Sequence, residues 1–430
     1  MSSFLNVLIN QVLRQAPIVM AIIVCIGNIA LKKSAKDTLV STVKALVGML
    51  ILNVGSSTIS GASSNLMTSL NSKFGVTGII IDHWTMIAEL AEKVPAAEYS
   101  YVGIVMIATM LVNVLLARIT PIKTIYLTGH IAYCDSCILL SLNYLFMGLT
   151  GIPLILVTMV MLLMYWWIGT WLFLPVTKSL AGEDTTITLG HQMILVDAIA
   201  SKVAGVFKVS EKNPSCEELN LPGWLEIFND ATMSYSLVMG VMYFCIALAC
   251  GPETISAISG GQNYLLYGFL QGIQVAVGMT ILLSGVRMFL AELLPSFRGF
   301  AEHLVPGAIA AIDNPAFWSF APKATLVGFI ATTVGMFLGV GVQILTKAPI
   351  IAFPSIIPMF FGGATMGVFC NVKGGVKGTV FACLIFGFIA PFTAALLAQT
   401  CNLTLGAGGH GDLGILLTII YFIVRTVRGI

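Results

Sequence analysis

Five ionisable side chains stand in or beside stretches otherwise free of charge: Asp82, His83, His130, His191 and Asp313. Gln192 follows His191, and Asp135 lies one helical turn beyond His130. An ionisable group at mid-bilayer costs roughly 2.5–3.5 kcal/mol on insertion scales, so such residues mark a pathway by default. A carboxylate, imidazoles and an amide together supply donors and acceptors for several hydroxyl groups, the chemistry of holding a polyhydroxylated ligand. His130 and His191 each follow a glycine, which opens backbone beside the side chain. The competing structural role is helix capping, which Asp313 before Asn314-Pro315 would suit.

Other polar clusters read more plainly. Gly408-Gly409-His410-Gly411-Asp412 has the glycine content of an external loop, and His303 follows Glu302 as an interfacial residue. Cys134-Asp135-Ser136-Cys137 has no second pair at zinc-ribbon spacing and reads as small-residue packing in an apolar helix. No Walker A, Gly-x-Ser-x-Gly or His-Glu-x-x-His motif occurs, and no cofactor is expected. Two rival chemistries use the same residues. Asp82 and Asp313 would be the coupling carboxylates of a proton- or ion-coupled symporter. His130, His191 and an aspartate would form an intramembrane metal centre, against which the lack of paired His spacing counts.

The elements that must position these residues follow from charge. Of 430 residues, 57% are hydrophobic, and only 21 Lys+Arg and 19 Asp+Glu carry charge. Mean hydropathy is +0.96. A soluble domain carries about 25% charged residues against 9% here, which excludes cytosolic enzymes, and a net charge of +2 offers nucleic acid no basic surface. Uncharged runs long enough for spans of about 20 residues place about eleven helices. They lie near 16–31, 43–54, 101–117, 124–146, 153–175, 233–250, 264–286, 324–345, 349–368, 378–398 and 413–427. The turn-like Gly148 to Pro153 divides the longest run. Gly-rich spacings such as Gly335-x-x-x-Gly339 read as close helix packing.

Met1 to Gln15 lacks a basic n-region and the first apolar run has no small-residue cleavage site, so no cleavable signal peptide is expected. With the N-terminus periplasmic and the C-terminus cytoplasmic, only Arg14, Lys73, Lys93 and Lys347 face outward, and the other basic residues face the cytoplasm. Residues 178–232 form the long polar connection on that cytoplasmic side. Within it, Leu221-Pro222-Gly223-Trp224-Leu225-Glu226-Ile227-Phe228 reads as an amphipathic interfacial helix. Thr188 to Gln192 has the composition to dip back towards the pathway.

An internal repeat organises the set. Residues 47–55 (VGMLILNVG) match 277–285 (VGMTILLSG) at six of nine positions, offset by 230, and Asp82 and Asp313 follow at nearly the same offset. The two copies lie five spans apart, so the repeat is inverted, the usual construction of alternating-access transporters. The expected division is a first repeat over 1–177, the connection over 178–232, a second repeat over 233–398, and a final helix with the C-terminus over 399–430. Two stretches, Gly55–Ser64 and Val305–Pro315, are expected to be broken or re-entrant segments lining the site.

Several stretches taken together resemble the ascorbate-type membrane component (enzyme IIC) of the bacterial phosphotransferase system. They are Asn10-Gln11-Val12 to Ala16-Pro17, Cys25-Ile26-Gly27, Leu127-Thr128-Gly129-His130-Ile131, Gly190-His191-Gln192, Leu221-Pro222-Gly223-Trp224-Leu225, Gly285-Val286-Arg287-Met288-Phe289, Pro306-Gly307-Ala308 to Ile312-Asp313, and Ile357-Pro358-Met359-Phe360-Phe361. The resemblance is collinear over nearly the whole chain. It implies an all-α homodimeric inner-membrane permease with a V-shaped scaffold domain and a mobile core domain. Its partners would be separate IIA and IIB proteins that phosphorylate the incoming small-molecule substrate. By the same resemblance the ligand site would use Ser56, Asp82 with the following His83 and Trp84, His130 with Cys134 and Asp135 in the turn after it, His191, Gln192 and Asp313. The chain departs from the family pattern twice. It has His83-Trp84 where ascorbate-type members carry Thr-Tyr, and Cys134-Asp135 where they carry Gln-Gln. Both departures alter the hydrogen-bonding groups offered to a substrate.

Overall fold

The computed structural model describes residues 16–75, 77–220, 223, 231–355, 357–408 and 411–429. In chain order the first part comprises helices α1 (Ala16–Ala30) and α2 (Ala35–Phe74), strand β1 (Thr77–Ile81), then α3 (His83–Lys93), α4 (Ala96–Tyr99) and α5 (Tyr101–Ile119). It continues with β2 (Thr124–Tyr126), α6 (Gly129–Met147), α7 (Gly151–Ala181), β3 (Ile187–Leu189) and α8 (Ile194–Ala204). The second part comprises α9 (Ala231–Ser256), α10 (Tyr264–Leu304), β4 (Ile309–Ile312), α11 (Pro315–Trp318), α12 (Pro322–Leu345), β5 (Ile350–Pro354), α13 (Ile357–Cys401), β6 (Gly406–Ala407) and α14 (Asp412–Arg428). Five stretches among the described residues are long and apolar enough to cross a membrane: Ala96–Ile119, Gly151–Ala181, Ser236–Ser256, Pro322–Leu345 and Ile357–Cys401. Together with the mostly helical fold, they make this a polytopic membrane protein.

The matched nonapeptides cross each other on α2 and α10. A Cβ placed on Gly48 would lie 2.7 Å from Phe289 N and 2.9 Å from Gly285 O. One placed on Gly278 would lie 2.9 Å from Gly55 O and 3.1 Å from Ile59 N. Gly48 meets Gly285 while Gly278 meets Gly55, so equivalent residues exchange places, and the antiparallel crossing has local two-fold symmetry. Only glycine allows backbones this close. Gly335 and Gly339 of α12 likewise face the backbone of Leu384 and Phe388 in α13, as their spacing predicts.

The expected break at Gly55–Ser64 is absent, and α2 runs through it as a continuous 40-residue helix. The hydroxyls that make this stretch look unsuited to a helix turn back onto their own backbone. Ser57 Oγ and Thr58 Oγ1 both donate to Val54 O, at 2.9 and 2.8 Å. The break expected at Val305–Pro315 is present: β4 crosses it and ends at Ile312, just before Asp313, and Pro315 opens the four-residue α11.

The short strands were not foreseen in an all-α reading. They form two parallel sheets of order β5-β1-β6 and β2-β4-β3. Each sheet takes its central strand from one half of the chain and its two outer strands from the other. The span expected at 124–146 is therefore β2 followed by α6. The spans expected at 349–368 and 378–398 become β5 followed by α13, which non-helical backbone at Gly375 (φ 56°) divides into two helical segments between the two expected spans. The loop around Asn213 fills that break: Asn213 Nδ2 donates to Gly374 O at 2.7 Å, and Val376 N donates to Pro214 O at 2.9 Å. Within 178–232, β3 is bonded into the second sheet and Gln192 is buried beside it. The amphipathic stretch at 221–228 lies outside the described residues except for Gly223.

Outer strands need their free edges satisfied at membrane depth. Asn113 of α5 serves β2, accepting from Tyr126 N at 2.8 Å and donating to Thr124 O at 3.1 Å. Gln343 of α12 serves β5, accepting from Ala352 N at 3.0 Å while donating to Pro391 O at 2.9 Å. Both amides are almost fully buried.

Candidate functional site

All strands of the β2-β4-β3 sheet run parallel, so their carboxyl ends lie together. Each strand delivers one polar residue just past that end: His130 after β2, Asp313 after β4, and His191 after β3. The approach is tight because a Cβ on Gly190 would lie 2.6 Å from the Ala311 carbonyl carbon. Gly190 N donates to Ile312 O at 2.8 Å, which fixes His191 beside Asp313. His130 Nε2 stands 3.5 Å from Asp313 Oδ2, and His191 Nε2 stands 3.9 Å from Oδ1. One carboxylate thus faces two imidazoles at separations longer than good hydrogen bonds. Asp313 Oδ1 also accepts from Asn314 N at 2.8 Å.

The other sheet contributes through β1. Asp82 caps α3, accepting from Thr85 N at 3.0 Å, Trp84 N at 3.4 Å and Thr85 Oγ1 at 2.7 Å. Its role is to aim the first turn of α3, which carries His83 and Trp84 with ring centroids 5.4 Å apart. These residues close a small cavity of about 30 Å³ lined by His83, Trp84, His130, Ile131, His191, Asp313, Ile357 and Phe361. That is room for about two ordered water molecules. The lining combines one carboxylate and three imidazoles with flat apolar walls, and no Lys or Arg is among these residues. Such a set accepts from and donates to hydroxyls while the rings cover C–H faces.

The remaining sequence candidates fall into a supporting layer or outside it. Asp135 does not line the cavity; its Oδ1 accepts from Gln192 Nε2 at 2.6 Å and its Oδ2 from Trp166 Nε1 at 2.9 Å. It therefore fixes Gln192, the neighbour of His191. Cys134 and Cys137 are buried free thiols, in keeping with a packing role, and neither reaches the cavity. Ser56 lies within α2, and its side chain is outside the described residues, as are His303 and His410.

Asp412 is the residue that sequence reasoning misplaced. It is fully buried rather than exposed in a loop. Its carboxylate caps α8 from another element, accepting from Leu195 N and Val196 N, each at 2.7 Å. Tyr165 OH donates to Asp412 Oδ2 and stands 3.1 Å from His191 O, while Asp412 N donates to Gln192 O at 2.8 Å. The available signal was an Asp directly before an apolar run, which is a helix-start pattern. Tyr165 and Trp166 sit in a π turn, Met164–Gly169, and Ile357 and Phe361 sit in a second, Ile357–Gly362. Such turns gather at functional sites because they re-aim successive side chains.

A family model described as "PTS system sugar-specific permease component" matches residues 11–420. A protein of Mycoplasma pneumoniae named "Ascorbate-specific PTS system EIIC component" is 25% identical over 448 aligned positions, covering 92% of this chain and 67% of the relative. With almost its whole length matched, the chain belongs to the sugar-specific permease component family of the phosphotransferase system.

Proposed function

We propose that this protein is the membrane permease (IIC) of a phosphotransferase system and takes up ascorbate or a closely related sugar acid or polyol. The observation that carries the proposal is the convergence of His130, His191 and Asp313, one from each strand end of a single sheet, on a cavity shared with His83 and Trp84. The name of the Mycoplasma relative supports ascorbate as the first compound to test. Asp313 would accept from substrate hydroxyls and the imidazoles would donate or accept. Asp135, Gln192, Asp412 and Tyr165 would hold the His191 loop in place. Ser56 and Cys134 belong to the proposed site only by family resemblance.

The cavity is far smaller than a sugar, so binding requires its walls to part. This suits alternating access by a core that moves against a scaffold built around the crossed α2 and α10. Three correspondences support two inverted repeats: the glycine crossing, the aspartates after β1 and β4, and the edge-strand amides Asn113 and Gln343, separated by the same 230 residues as the nonapeptides. We place the N-terminus in the periplasm and the chain in a homodimer in the inner membrane. Phosphate would pass from a phosphocysteine of IIB, recharged by IIA, to a substrate hydroxyl at the cytoplasmic face. The phosphoryl group adds about −1.5 to −2 of charge, which weakens rebinding and makes uptake one-way. A symporter using Asp82 and Asp313 as a pair is less favoured, because Asp82 is engaged in its cap.

The test is a binding screen of ascorbate, other sugar acids and polyols on the purified protein, followed by vesicle uptake with and without IIB and IIA. Saturable binding and accumulation of phosphorylated product only with IIB are expected. Uptake that proceeds without those proteins and collapses with a protonophore would replace this reading with the symporter.

A further inference from the structure

A second, much larger concavity lies away from the polar site. It has a volume of about 1100 Å³, just above the range of roughly 300–1,000 Å³ typical of small-molecule pockets. One wall is the end of α2 and the face of α9 carrying Val241 and Cys245; the other is the face of α12 carrying Phe337 and Gly341, continued by β5. Leu237, Val241, Phe337 and Ile344 are exposed along it. Among its lining residues only Lys347 is charged, and Lys73 stands next to the lining residue Phe74 at the end of α2.

These features select an occupant. A groove this apolar does not hold water, and left void it would forfeit dispersion contacts along its whole length. The same lining offers a polyhydroxylated substrate almost no partners, so it is not a second sugar site. Two of its walls, α9 and α12, contain membrane-crossing stretches, which opens the groove to hydrocarbon rather than to solvent. Lys73 and Lys347 are two of the four basic residues assigned to the outward side, against the charge bias of the rest of the chain. We infer that this groove is a phospholipid site, with an acyl chain between α9 and α12 and the headgroup phosphate against Lys347 and Lys73. In the proposed transport cycle the two walls would belong to scaffold and core, so a bound lipid would fill the gap along which they slide; the lipid site itself does not depend on that reading.

The test uses the full chain in nanodiscs of phosphatidylethanolamine and phosphatidylglycerol with a trace of each lipid carrying a photoactivatable acyl chain. Adducts should concentrate on the groove faces of α9 and α12, several-fold above those on the lipid-facing residues Ile152, Leu156 and Val160 of α7. A Cβ added at Gly341 would meet nothing within 4 Å, so Gly341→Trp fills the groove without displacing backbone. It should abolish the groove adducts and leave those on α7 unchanged. Lys347→Gln should lower the preference for phosphatidylglycerol roughly fivefold, the worth of one Lys at an anionic headgroup, while the acyl adducts persist. Wild-type adducts no denser on the groove than on α7 would overturn the inference. The wild-type map decides even if Gly341→Trp does not fold. Sugar binding, measured in the same samples, reports separately on the polar site.

Discussion

At the scale of single residues, Asp313 carries the heaviest demand. Its carboxylate faces His130 and His191 at 3.5 and 3.9 Å, and it lines the cavity where Asp82 does not. Asp313→Asn keeps the shape and removes the charge. Hydrogen bonds to a charged group contribute about 1.5–3 kcal/mol, so Kd for the substrate should rise roughly ten- to hundredfold in calorimetry with the fold intact. Asp412→Ala should behave differently. Losing a cap costs about 0.5–2 kcal/mol, so thermal stability should fall measurably, and substrate should bind more weakly because the His191–Gln192 loop is released. His130, His191 and Asp313 were legible in the sequence because ionisable groups in apolar runs are costly to place. Asp412 was not, because the glycines before it read as a loop, and the helix it caps lies more than two hundred residues away.

At the scale of elements, the two three-stranded sheets escaped the sequence for a physical reason. Strands of two to five apolar residues have the same hydropathy as a turn of membrane helix, so β2 and β5 merge into the runs that follow them. Gly55–Ser64 misled in the opposite direction: its hydroxyls suggested a break, yet they bond back to the helix that carries them. The proposed repeat rests on a nonapeptide and an aspartate in the sequence, and the crossing of α2 and α10 gives it a test. Gly48→Leu and Gly278→Leu each drive a side chain into backbone at symmetry-related points. Each should lower stability by about 1–3 kcal/mol, and by similar amounts in thermal unfolding. Strongly unequal losses would argue against a two-fold crossing. The edge clamps allow a parallel test. Asn113→Leu and Gln343→Leu each orphan a buried strand N–H, at a cost of about 1–3 kcal/mol.

At the scale of the whole molecule, the polar site and its orientation must agree for uptake to be one-way. In this state the cavity is too small for a sugar, and the direction of uptake would come from which face meets IIB. The proposed orientation, with Lys73, Lys93 and Lys347 outward, would put the loop around Lys212 in the cytoplasm and the turn around Gln262 in the periplasm. Both positions are exposed and polar. Lys212→Cys should therefore react with a membrane-impermeant thiol reagent only in inside-out vesicles, and Gln262→Cys only in right-side-out ones, above the background of the native cysteines. The mechanism then imposes a second condition on the same vesicles. IIB must promote phosphorylation of substrate only when added to the side on which Lys212→Cys reacts. Labelling in the reverse sense would put the phosphorylating partner on the side from which the substrate comes, and trapping by charge could not drive uptake.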